Sequence, residues 1–98
     1  MLSETERGAI ADSLIAARKA AKQTKRPSEI HPDITIEDAY AVSSEVARRE
    51  MEGGARLIGH KIGLTSKAMQ RASNIHEPDY GYLLDTMLVA DGAKVRHD

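Results

Sequence analysis

The chain has 98 residues, 41% of them hydrophobic and 3% aromatic, which suits one small domain with a core of Leu, Ile, Val, Ala and Met. Its 14 basic and 15 acidic residues leave a formal charge of −1, which excludes the one-signed field that draws nucleic acid or an anionic membrane. The lack of cysteine excludes disulfides and thiolate metal sites, and no apolar run nears the roughly 20 residues of a membrane span.

Ser3 followed by Glu6 predicts a capping box, and Ile10, Leu14, Ala17 and Ala21 then recur along one stripe of an amphipathic helix. The basic stretch from Arg18 to Arg26 reads as the solvated end of that helix, where cations suit the macrodipole, rather than as a binding patch. Pro27 marks the exit, and Ser28 to Asp33 reads as a loop too short to be a linker. Thr35 is placed to cap a second helix, with Glu37 and Asp38 in its first turn and Ala39, Val42, Val46 and Met51 as its apolar positions. Gly53 and Gly54 stop it.

Beyond them, the run from Arg56 to Leu64 has the β-branched content and period of two of a strand. Ile58, His60, Ile62 and Leu64 are expected on one face, and Leu57, Gly59, Lys61 and Gly63 on the other. Thr65 and Ser66 can cap a short helix through about Ala72. Glu77-Pro78-Asp79-Tyr80-Gly81 reads as a turn, and Asp91-Gly92 between two apolar runs predicts a terminal β-hairpin. The expected fold class is therefore α+β: two amphipathic helices, a strand, a short helix and a terminal hairpin. There is no internal repeat and no low-complexity tract. A core this thin favours packing against a further part of the polypeptide or another subunit, and is compatible with a homo-oligomer.

Lys61 is the residue that points to chemistry. Glycine in mid-strand gives up packing, and two of them flank this lysine on its own face. One reading places a small anionic or carbonyl-bearing ligand against the cleared backbone, held by the ammonium. The other is a strand bend with a solvated lysine. Asp79 is similarly open to two readings: a turn carboxylate bonded to nearby N–H groups, or an acid or base, or an orienter of Lys61, working near a proton transfer. His31, His60, His76 and His97 lack metal-site spacing, and His60 is expected to face away from Lys61. No nucleotide loop, nucleophile elbow or glycosidase-like carboxylate pair is present.

The stretch from Gly59 to Gln70, then Glu77 to Gly81 and Leu84-Asp85-Thr86-Met87, resembles the 2-oxo-hept-4-ene-1,7-dioate hydratases within the 2-keto-4-pentenoate hydratase and 4-oxalocrotonate decarboxylase family. Upstream, the residues from Ile34 to Val42 are similar to the same group. The resemblance implies a fold related to fumarylacetoacetate hydrolase and a hydro-lyase of aromatic-compound breakdown, of which residues 1–98 are the amino-terminal domain. It implies a 2-oxo acid as substrate, with Lys61 and Asp79 as catalytic residues and Gly63, Leu64 and Thr65 as substrate-binding ones. It also implies Mg²⁺ or Mn²⁺ held by carboxylates in a following β-rich domain, so no metal ligand is assigned among these residues. The alternatives are a decarboxylase of the same family and a non-catalytic assembly or ligand-binding module. The start of the chain lacks the basic then apolar order of a secretory signal, and a cytoplasmic enzyme is expected.

Overall fold

The computed structural model describes residues 1–96. The elements run α1 (Glu4–Lys19), α2 (Pro27–Ile30), α3 (Ile36–Glu52), β1 (Leu57–Gly63), α4 (Lys67–Ser73) and β2 (Asp79–Leu84), followed by a 3₁₀ turn at Asp85–Met87. This is the expected α+β class: two long helices pack together, and β1 and β2 pair antiparallel beside them.

Each long helix starts on a reciprocal cap. Ser3 Oγ accepts the Glu6 N–H at 3.1 Å while Glu6 takes the Ser3 N–H at 3.0 Å. Thr35 and Asp38 repeat the motif at the start of α3. The Asp38 carboxylate is fully buried and also takes the Leu2 N–H and the Arg7 guanidinium, at 2.8 Å for Nη2. One side chain thus caps α3, ties down the entry of α1 and joins the two helices. Burial pulls its carboxyl upward, but the hydrogen bonds from Thr35, Arg7 and Leu2 prevail and hold it far below the usual carboxylate range. Beside them Leu2, Ile10, Ala11 and Val42 form the core, flanked by Leu14, Ile34 and Val46. Arg49 crosses from α3 to Asp12 of α1.

Several expected boundaries move. α1 ends at Lys19 rather than running on through Ala21, which takes a left-handed conformation at φ 53°. The Lys22 N–H then closes on the Ala17 carbonyl at 3.0 Å, the six-residue closure of a Schellman end, with alanine where glycine is the usual choice. The predicted loop after Pro27 contains a single helical turn, because proline sets φ for the first position and Glu29 reaches back to the Arg26 N–H at 3.1 Å. In α3, Ala47 is buried while Met51 and Ala39 are exposed.

The segment read as a turn at Glu77 to Gly81 instead supplies the start of β2. Pro78 and Gly81 are local turn signals, yet Tyr80 and Tyr82 alternate and pack toward α3, and tertiary packing overrides local preference. The Tyr80 ring stacks on Tyr40 with centroids 4.5 Å apart, and the hydroxyls of Tyr82 and Ser44 lie 2.8 Å apart. Leu84, 1% exposed, closes this side, its burial contributing roughly 2 kcal/mol. The terminal hairpin does not form. Gly92 does make a turn, at φ 79° with the Ala93 N–H on the Ala90 carbonyl at 3.0 Å, but its flanks are not strands. Leu88 is 76% exposed, and two short strands without a face to bury are marginal in water.

Candidate functional site

The sheet register decides which residues meet. Gly59 pairs with Leu83, His60 with Tyr82, Lys61 with Gly81, Ile62 with Tyr80 and Gly63 with Asp79. Between Leu57 and Gly59 the register shifts, so Leu57 lies opposite Leu84 and Ile58 is the extra residue of a bulge. That one residue changes the parity of the strand. Leu57 shares a face with His60, Ile62, Tyr80, Tyr82 and Leu84, against expectation, while Gly59, Lys61 and Gly63 share the other with Leu83, Gly81 and Asp79. Leu64, expected to continue the first face, leaves the strand altogether at φ 51°.

Lys61 therefore has glycine on three sides: Gly59 and Gly63 along its own strand, and Gly81 directly across. The third is the one the sequence did not reveal, because β2 itself was read as a turn. Asp79 is a diagonal neighbour of Lys61, a placement about 7–8 Å apart and within reach of a long side chain. Its carboxylate lies over Gly63: a Cβ added there would fall inside 3.0 Å of Asp79 Oδ1. A larger residue at Gly63 would displace the exposed Asp79 carboxylate, whereas a Cβ at Gly81 meets no atom of the described residues within 4 Å. Lys61 and Asp79 are both exposed, and among the described residues they form no ion pair with each other. The result is a cation and an anion on one open, nearly side-chain-free face, free to engage a ligand rather than satisfied by one another.

The opposite face carries the structural load. His60 points there, as expected, tilted against the Tyr82 ring at 5.4 Å. An apolar groove of 340 Å³ lined by Ile10, Leu14, Val42, Val46, Tyr82 and Leu84 lies on this helix side of the sheet, away from Lys61. The tyrosine stack anchors Tyr80, the residue next to Asp79, to α3.

Gly63, Leu64 and Thr65 form the exit from β1. Ser66, not Thr65, caps α4 by accepting the Met69 N–H at 3.2 Å, so these three residues precede the helix. Two of the other expected histidines are accounted for: His31 sits 3.6 Å from a Glu6 oxygen, and His76 is exposed. His97 lies outside the described residues. Among the described residues no group of three or more His, Cys, Asp or Glu is placed to hold a metal ion. Nor is any described helix long and apolar enough to cross a membrane.

This architecture matches the amino-terminal segment of a class of enzymes made up of hydratases and decarboxylases. Over 91% of its length the chain is 53% identical to 2-oxo-hept-4-ene-1,7-dioate hydratase of Escherichia coli, and over 94% it is 42% identical to 2-hydroxyhexa-2,4-dienoate hydratase of Comamonas testosteroni. It spans 33% of each of those enzymes. Among solved structures, 4-oxalocrotonate decarboxylase from Pseudomonas putida G7 superimposes with a TM-score of 0.83 at 30% identity, covering 88% of this chain and 33% of that one. That decarboxylase is known both with calcium and acetate and with magnesium and adipate. No family model matches the chain.

Proposed function

We propose that this chain is the amino-terminal domain of a hydro-lyase that adds water to a 2-oxo-alkenedioate of the 2-oxo-hept-4-ene-1,7-dioate type. The observation that carries the reading is Lys61 on a sheet face cleared by Gly59, Gly63 and Gly81, with the Asp79 carboxylate beside it. The 53% identity to a hydratase of that substrate supports the choice of reaction.

In this reading the 2-oxo-carboxylate end of the substrate lies flat on the glycines, a place that any larger side chain would occupy. The Lys61 ammonium offsets negative charge on the carboxylate and on the ketone oxygen as electrons move onto it. The 4,5-alkene of such a substrate is not conjugated with the 2-ketone, so a proton first leaves C3 and another is delivered to C5, through the dienol, to give the conjugated 3,4-alkene. Water then adds, the hydroxyl going to C4 and a proton to C3. Asp79, diagonal to Lys61, exchanges the proton, and the backbone of Gly63, Leu64 and Thr65 lines the same end of the substrate. Mg²⁺ or Mn²⁺ is held by carboxylates of a β-rich domain outside these residues, and the assembled enzyme is a cytoplasmic homo-oligomer.

The structural match to 4-oxalocrotonate decarboxylase supports a second reading, loss of carbon dioxide from a related 2-oxo diacid on the same face. Turnover of both substrates by the full-length enzyme separates the two. Hydration of the 2-oxo-alkenedioate, abolished by Lys61→Ala in a folded protein, is the expected result; decarboxylation alone would favour the second reading. A Lys61→Ala enzyme with undiminished turnover in both assays would remove Lys61 from the mechanism.

A further inference from the structure

Among the described residues two polar side chains are buried, Asp38 and Gln70. Asp38 is accounted for by the helix caps. Gln70, 5% exposed, is the buried residue of α4, a position where a short amphipathic helix ordinarily presents an aliphatic side chain. Its Nε2 donates to the Leu64 carbonyl at 2.8 Å. A carbonyl only accepts, so the amide must turn its nitrogen this way and the orientation is fixed by chemistry.

Leu64 itself stands in the left-handed region at φ 51°, which branched side chains disfavour. Strand pairing stops one residue earlier, at Gly63 opposite Asp79, so the sheet ladder does not hold Leu64 in that state. The tether from Gln70 does. We propose that Gln70 is a positioning residue for the Lys61 site: it locks the turn at Leu64, and through it the placement of Gly63 under Asp79 and of Thr65 beyond. This rests on the reading of Lys61 and Asp79 as the reactive pair. Were Leu64 to relax to an ordinary backbone conformation, the chain leaving Gly63 would swing away, and the three backbone positions proposed to line the substrate would no longer share one surface.

The test uses the full-length enzyme with two substitutions. Gln70→Met keeps the length and removes the donor; turnover is expected to fall about tenfold or more at a temperature where circular dichroism shows the protein fully folded. Gln70→Glu presents a carboxyl group to a carbonyl; Lys67 and Arg71, which line the same concavity, favour its ionised form, while burial favours the protonated one. Its turnover relative to wild type is therefore expected to recover as the pH is lowered, because the protonated acid regains a hydrogen to donate. A role confined to stability would lower the melting temperature of both variants without changing turnover of the folded protein or the shape of the pH profile, and that result overturns the proposal. Lys61→Ala, measured in parallel, separates the two levels. If it abolishes turnover while Gln70→Met does not, Gln70 alone is wrong; if it changes nothing, the reactive pair is wrong and Gln70 falls with it.

Discussion

Replacing Gly63 by alanine puts a methyl group where the Asp79 carboxylate now rests. Gly63 does not have positive φ, so the backbone accepts alanine and any effect is steric. The new Cβ would fall inside 3.0 Å of Asp79 Oδ1, with Asp79 Cγ at 3.5 Å. To regain ordinary contact the carboxylate must move by roughly 1 Å, and a misplacement of that size at a proton-transferring group costs on the order of 100-fold in turnover. Gly59→Ala and Gly81→Ala provide the comparison. Their Cβ atoms meet Leu83 Cδ1 at 3.8 Å and nothing within 4 Å, respectively, so Asp79 stays in place. Each is expected to fold, with a gain of roughly 0.5–1 kcal/mol from alanine in a strand. If the face is occupied in the working enzyme, both weaken substrate binding even so. Steady-state kinetics on the full-length enzyme, with thermal melts to establish folding, reads all three. Turnover of Gly63→Ala within about twofold of wild type would refute the claim that the carboxylate must stand over Gly63.

The buried carboxylate on α3 gives stability a pH dependence of definite sign. Asp38 has a lowered folded-state pKa, so its contribution is complete above the unfolded value of about 3.9 and is lost as the pH falls through the folded value. Glu45, held down to about 2 by Arg48 and Arg49, acts in the same direction. Acid unfolding followed by circular dichroism should therefore show Asp38→Asn less stable than wild type at neutral pH but less sensitive to acid; parallel acid limbs would contradict this. At the end of α1, Ala21→Gly should raise stability by about 0.5–1 kcal/mol in urea titrations, because glycine takes φ 53° without a Cβ clash. A lower midpoint would show that the left-handed residue is not limiting there.

Where the signal is local, the sequence was sufficient. Ser3 with Glu6, and Thr35 with Asp38, mark the two helix starts because a cap needs only four adjacent residues. Strand β1 was legible from its own alternation, and the isolation of Lys61 between Gly59 and Gly63 from spacing alone. Motif resemblance favoured the catalytic reading of Asp79, which the sequence alone left open because its local setting reads as a turn. The misread segments are those whose conformation depends on distant partners. Residues 79–84 carry turn signals, yet become a strand because Tyr80 and Tyr82 find Tyr40 and Ser44 on α3. The apolar flanks of Asp91-Gly92 look like strands, and remain irregular because no layer covers them among the described residues.

By itself, the sequence determined the two long helices, the first strand and the lysine between two glycines, since each depends on residues within one or two turns. Only the tertiary structure decided that Leu57 lies on the far face, that Gly81 is the third glycine beside Lys61, and that Asp79 stands over Gly63. Those depend on register, and one bulged residue at Ile58 resets the register in a way no local pattern announces.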